Sequence, residues 1–151
     1  MEVVEGSCRF GLWFVRVAWG GNTIHRVRFA TTGIDGDVPA LIRQYCAGRP
    51  VDLSSFETGA IHDSTAYSRI YEIVREVPYG ATATYGEIAA IARTSPRVVG
   101  QAMARNPTPL IIPCHRIVAA NGIGGFSPDR EIKVALLEME RKGSRKKLVN
   151  L

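Results

Sequence analysis

Cys114 and His115 stand side by side in the run Pro113-Cys114-His115-Arg116-Ile117-Val118, approached from the apolar stretch Leu110-Ile111-Ile112. The proline ring fixes its own φ and pushes Ile112 towards extended backbone, so the pair reads as a rigidly held dipeptide at the end of a strand. A cysteine attacks electrophiles as its thiolate, and an imidazole held nearby is the commonest means of drawing off the proton at neutral pH. Neighbouring side chains on extended backbone point apart, which favours a relay through a water over direct contact. Glu140 is the candidate for orienting the base. It falls one turn after Leu136 on the stripe Ile132, Ala135, Leu136 and Met139, and a carboxylate on the buried side of a helix needs a partner such as His115. The plain alternative is a cysteine buried as packing and a glutamate at a frayed helix end.

The elements that must position these groups follow from periodicity. Residues 10 to 30 alternate, with Trp13, Val15, Val17 and Trp19 on one side, then Gly20-Gly21-Asn22, then Ile24 to Phe29, which predicts a β-hairpin. A short helix is predicted over Asp37 to Ala47, with Asp37 as cap and Gly48 as stop. The polar stretch Ser54 to Ser64 lacks strong period, and the boundary is set at residue 60, giving an N-terminal α+β portion over 1–60 and a C-terminal portion over 61–151. Tyr67, Ile70, Tyr71, Val74 and Val77 recur at helical spacing until Pro78-Tyr79-Gly80. Thr84 and Glu87 match a capping box that opens a helix through Ile88 and Ile91. Ser95-Pro96 starts another helix reaching Asn106, where Pro107 stops it. Two short helices after a longer one outline a helix-turn-helix, although antiparallel helix pairs share that pattern. In the last of the three, Arg97, Gly100, Gln101 and Ala104 share one face, small enough to approach a groove closely, while Val99 and Met103 face the core. Asn121-Gly122-Ile123-Gly124-Gly125 marks a flexible turn, and Ser127-Pro128-Asp129 begins the final helix.

Composition narrows the setting. The chain has 151 residues, 46% of them hydrophobic, enough for a core without staples. Three cysteines, Cys8, Cys46 and Cys114, form no CxxC pair and leave an odd count, which suits a reducing compartment. The start is acidic and no apolar run is long enough to span a bilayer, so a cytoplasmic place is expected, or a nuclear one in a eukaryote. Nineteen Lys and Arg against fourteen Asp and Glu leave a formal charge of +5, which favours polyanionic partners. Part of that surplus lies in the tail from Arg141 to Lys147, expected to be solvated or frayed.

Taken together, Pro113-Cys114-His115-Arg116 after the Asn106-Pro107 stop, Arg97-Val98-Val99-Gly100-Gln101-Ala102-Met103 before it, and the later Gly-Gly-Phe-Ser resemble the O6-alkylguanine-DNA alkyltransferases over about residues 66 to 140. The resemblance implies an α+β protein: a small N-terminal α/β domain of ribonuclease-H-like kind, then a mostly helical, winged helix-turn-helix-like domain. It implies direct repair of double-stranded DNA containing O6-alkylguanine. The helix-turn-helix enters the minor groove, the nucleotide is flipped, and the alkyl group passes irreversibly to Cys114 in a single turnover. Carried over position by position, His115 is the base acting through a water, and Glu140 orients it. Arg97 fills the space left by the flipped base. Tyr85 contacts the guanine and helps turn its phosphate, and Asn106 is a hinge near the cysteine. Gly100, Gln101 and Ala104 meet the DNA, while Phe126, Ser127 and the Ile123 to Gly125 backbone, including Gly124 and Gly125, wall the pocket.

Phe126 stands where many family members carry tyrosine, so a hydroxyl contact to the lesion is absent and stacking remains. Some members bind structural zinc in the N-terminal domain, but Cys8, His25, Cys46 and His62 fall at no spacing that maps onto such a site, and no metal or cofactor is expected. A monomer without an obligate protein partner and without membrane contact is the matching expectation. Three rivals stay open: an alkyltransferase-like lesion sensor, which lacks the acceptor cysteine; a cysteine hydrolase using Cys114 and His115; and a DNA-binding regulator whose cysteine is structural.

Overall fold

Alternation of period two carries the first thirty residues into a sheet. The computed structural model describes residues 2–62 and 65–149. Strands β1 (Val4–Phe10), β2 (Trp13–Gly20) and β3 (Thr23–Ala30) form an antiparallel meander, and β4 (Glu57–Thr58) joins the free edge of β3 in parallel. The predicted hairpin is β2–β3. The longest of the missed strands is β1, whose Cys8 and Phe10 point inward while Arg9 is exposed, the alternation of a half-buried strand. On β2 the inward face is carried by Val15 and Val17, whereas Trp13 and Trp19 are only half-buried.

Helix α1 spans Ala40–Cys46 and its chain turns away at Gly48, as expected. Its start corrects the sequence reading: Pro39 occupies the cap position and makes no side-chain cap bond. A residue before proline is kept out of the helical region, so Val38 cannot begin the helix and Asp37 lies too far upstream to cap it. Asp37 instead takes the Trp19 indole on its carbonyl, at 3.0 Å, and its carboxylate lies 3.6 Å from Arg43.

The remaining elements are α2 (Ser68–Arg75), β5 (Ala83–Thr84), α3 (Tyr85–Ala92), α4 (Pro96–Ala104), β6 (Ile117–Val118) and α5 (Arg130–Val149). The Thr84–Glu87 capping box is complete, with both bonds at 3.0 Å, and Ser95 caps α4 through the Val98 amide. Helix α4 stops at Ala104 rather than Asn106, with Arg105 as its C-cap. Strand β5 pairs in parallel with β6, Ala83 with Ile117 and Thr84 with Val118, and so ties the start of α3 to the residues just after Cys114 and His115.

Two apolar cores form. Val15, Val17 and Ile24 of the sheet pack with Ile42 and Tyr45 of α1 and with Leu110, Ile111, Ile132 and Leu136. Ile70, Val74, Ile88, Val99, Ile112 and Ile117 form the second, which also holds Cys114. Phe126 touches both. Arg141, Lys142 and Arg145 of the tail are exposed, as expected of a solvated end, but the end is not frayed, because α5 continues through Val149. It passes so close to the turn after α2 that a Cβ on Gly143 would collide with the Tyr79 hydroxyl, and one on Gly80 with Ser144. Gly80 also takes a φ of 82°, which suits glycine alone at little cost. That packing, absent from any periodicity count, holds the helix beyond Glu140.

Candidate active site

The segment that delivers Cys114 is a folded loop, not the predicted strand. Asn106 organises it: its amide donates to the Ile112 carbonyl at 2.8 Å and accepts from the Thr108 amide at 3.0 Å. Pro107 accepts from the Val27 amide of β3 at 3.0 Å, and Thr108 meets Thr58 hydroxyl to hydroxyl at 3.0 Å. Leu110 is forced to a φ of 77°, a strained state for a branched side chain, and is held there by burial. Cys114 to Arg116 then form a single 3-10 turn closed by the Arg116 amide on the Pro113 carbonyl at 2.9 Å. The expectation of extended backbone at the dipeptide is therefore corrected. The reason is the proline: Pro113 itself sits at a ψ of 67°, which bends the chain instead of extending it.

Cys114 and His115 are both buried, and so is Glu140. The frayed-end alternative for Glu140 falls with that burial. His115 Nε2 lies 2.7 Å from Glu140 Oε2. Arg116 grips the same carboxylate in two places, Nε to Oε1 at 2.9 Å and Nη2 to Oε2 at 3.0 Å, and the Gly80 amide donates to Oε1 at 3.0 Å. A fifth donor is the hydroxyl of Tyr45, which bonds Oε2 from α1. A carboxylate only accepts, so His115 Nε2 carries the hydrogen and Nδ1 keeps its lone pair. Among the described residues, nothing hydrogen-bonds Nδ1.

Electrostatics leave this pair at rest. Burial pushes the Cys114 thiol up, opposed by the Asn106 amide and the Lys133 ammonium. Burial likewise pushes His115 down, against the pull of Glu140. Burial alone would raise Glu140; the hydrogen bonds and charge facing it outweigh this and hold the carboxyl well below the usual carboxylate range. Because the buried imidazole is neutral near pH 7, the charge partner that matters at rest is Arg116. Such an arrangement stores a neutral thiol beside a neutral, accepting imidazole.

Cys114 lies against a cavity of about 770 Å³. Of the predicted residues, Tyr85, Gly100, Ala104, Asn106, Phe126 and Ser127 line it together with the cysteine, and Gly125 does as well. Gly124 sits just behind, at a φ of 79°, where a Cβ would lie 3.0 Å from the Tyr85 hydroxyl. Arg97 and Gln101 are exposed on α4 and do not line the cavity, and Gly100 faces open space. Phe126 stacks edge-on against Phe29 at 5.7 Å between centroids.

Sequence reasoning gave Arg116 no task and missed four further contributors. Lys133, fully buried, donates to the Ile117 carbonyl at 2.5 Å and to the Gly125 carbonyl at 3.3 Å, with its ammonium 5.7 Å from the Tyr85 ring centre; burial lowers its pKa to about 8. The signal was available, since Lys133, Leu136 and Glu140 stand at i, i+3 and i+7, the same stripe that places Glu140 inside. Arg26 and Arg28 of β3 border the cavity, and nothing in a strand's alternation announces that. Tyr45 arrives across the fold, and no local pattern reveals it.

The frame is that of an α+β protein with two short helices in helix-turn-helix order, α3 and α4, and a buried cysteine at a cavity beside the second. Residues 65–142 match the family model for the 6-O-methylguanine DNA methyltransferase, DNA binding domain. A methylated-DNA--protein-cysteine methyltransferase of Methanopyrus kandleri is 48% identical over 99 residues, 66% of this chain and 75% of that protein. One from Thermococcus sibiricus is 41% identical over 108 residues, 70% of this chain but 62% of the relative's length. Among solved structures, the O6-methylguanine methyltransferase of Mycobacterium tuberculosis superposes with a TM-score of 0.73 at 25% identity, covering 93% of this chain and 94% of that one. The O6-methylguanine-DNA methyltransferase of Pyrococcus kodakaraensis gives a TM-score of 0.70 at 28% identity, covering 92% and 99%. The chain belongs to the O6-methylguanine-DNA methyltransferase family.

Proposed function

We propose that this chain repairs DNA by accepting the alkyl group of O6-alkylguanine on Cys114, once per molecule. The observation that carries the reading is the joint placement of Cys114 at the cavity and of His115, with a free Nδ1, in the Glu140 network. The Cys114 proton passes to His115 Nδ1 through a bridging water. The sulfur attacks the alkyl carbon in line, forming the S–C bond as the O6–C bond breaks. The guanine leaves as its anion and is protonated on its ring nitrogen to the ordinary base. A thioether has no ready leaving group, so the thiol is not regenerated.

The same reading gives the surrounding residues their tasks. Arg97 occupies the gap in the duplex left by the flipped nucleotide, and the α4 face of Gly100, Gln101 and Ala104 lies in the minor groove. Tyr85 and the 124–127 backbone hold the guanine, with Phe126 supplying stacking rather than a hydroxyl. Asn106 fixes the loop beneath the cysteine. Lys133 favours the thiolate by its charge and pins the Gly125 wall. Arg26 and Arg28 add positive charge at the cavity mouth, where phosphates pass. The protein acts as a monomer on double-stranded DNA, with residues 1–60 as a supporting domain.

The test is intact mass and peptide mapping after incubation with a duplex carrying one O6-methylguanine. One methyl on Cys114, saturating at one equivalent, is expected, and Cys114→Ala is expected to keep lesion binding and lose transfer. An unmodified wild-type protein that still binds the lesion would make it a sensor.

A further inference from the structure

Tyr45 belongs to α1, in the half of the chain that carries no part of the cysteine turn, yet its hydroxyl ends inside the Glu140 network. It is fully buried, bonds Glu140 Oε2, and lies 3.2 Å from His115 Nε2. Its ring meets Tyr79 edge-on, with centroids 6.1 Å apart. The carboxylate has no hydrogen to give, so the phenol donates to the oxygen that also receives the His115 hydrogen. With Arg116 Nη2 on the same oxygen at 3.0 Å, three donors share one acceptor atom, and the strength of each bond limits the others. A tyrosine kept for packing alone could satisfy its hydroxyl on any carbonyl; this one sits on the atom that sets the basicity of the imidazole.

We propose that Tyr45 is a positioning residue for the transfer step, holding Glu140 ionised and turned towards His115 while weakening the grip of Glu140 on the imidazolium. The inference rests on the alkyl-transfer reading above. It also gives the N-terminal half a part in the chemistry beyond support. The charged and titratable groups around this point are Cys46 on α1, Cys114 and Arg116 on the turn, Tyr79 after α2, and Glu140 and Lys133 on α5. Burial and the Glu140 charge push the Tyr45 hydroxyl well above its usual range, so it remains a donor throughout the working pH. Without the hydroxyl, Oε2 is shared by the histidine and Arg116 Nη2 only, the protonated imidazole is better stabilised, and its pKa rises.

The experiment follows alkylation of Cys114 by free O6-benzylguanine across about pH 5 to 9 in wild type, Tyr45→Phe and Ile42→Val, with His115 titrated by ¹⁵N NMR in each. Ile42 is fully buried on the same helix and in the same core, and its side chain has no polar atom to bond the relay, so it reports packing alone. For Tyr45→Phe the expected result is an acid limb and a His115 titration both moved up by about 0.5–1 unit, a part of what one hydrogen bond to a charged partner is worth, since the lost bond acts on the histidine only through Glu140. Ile42→Val should lower the melting temperature and leave both curves in place. Curves for Tyr45→Phe that superimpose on wild type, or an equal shift in Ile42→Val, overturn the proposal. A wild-type chain that takes no benzyl group overturns the transfer reading instead, while the histidine titration still reads the Tyr45 effect.

Discussion

Replacing Glu140 by Gln removes a charge without removing volume and tests how much of the fold leans on this carboxylate. Five donors converge on it: His115, Tyr45, the Gly80 amide and two from Arg116. Glutamine offers one accepting oxygen and turns an NH₂ group towards the other donors, so about half are left unmet and the largely buried Arg116 loses its counter-charge. Breaking a buried pair from one side costs about 3–5 kcal/mol. For a domain of this size each kcal/mol moves Tm by about 2–4 °C, so a fall of about 6–20 °C is expected. The pH dependence gives a second handle. Glu140 has a folded pKa below its unfolded one, so its contribution is full above the ordinary carboxylate value of about 4.3 and is lost as pH falls below it. His115, depressed by burial, contributes fully above about 6.5 and less below. Wild type should therefore weaken from about pH 6.5 downward and more steeply below about 4.3, and Glu140→Gln should lose the lower, steeper part while keeping the upper. Calorimetry from neutral to acid pH is the assay. A variant within about 2 °C of wild type at pH 7, with an unchanged acid slope, refutes the view that Glu140 is a structural as well as a chemical hub.

Arg97→Ala should slow repair of an O6-methylguanine duplex far more than reaction with free O6-benzylguanine, since the side chain stands on the exposed α4 face and does not line the cavity; equal losses in the two rate constants would remove its proposed place in the duplex. Gly100→Ala should stabilise the free protein by up to about 1 kcal/mol, as a Cβ there meets nothing within 4 Å, while weakening duplex binding by crowding the groove face. Denaturant melts and a binding titration read the two effects, and tighter binding would contradict the assigned face.

Much of this was legible because local physics determined it. Thr84 and Glu87 three residues apart encode a capping box, Ser95-Pro96 a helix start, and the i, i+4 step from Leu136 to Glu140 a buried carboxylate. Sequence reasoning failed where a distant contact decides. Nothing local says that Val27 will bond Pro107 and bend the approach to Cys114 into a loop, or that Gly143 will lodge against Tyr79 and keep the basic tail helical. Lys133 was overlooked for another reason: a lysine is read as solvated by its type, even when its spacing matches that of the buried glutamate. Tyr45 joins the network from 95 positions away in the chain, beyond the reach of any window.

The crowding of Glu140 also determines where a proton can go. With both oxygens occupied by donors, the carboxylate is a closed end. On the proposed reading, a proton picked up by His115 Nδ1 leaves by the same nitrogen, with the departing guanine anion as its acceptor. A turnover enzyme needs an exit to bulk water to reset its base, whereas a protein used once can dispense with one, and this site is built as a cul-de-sac.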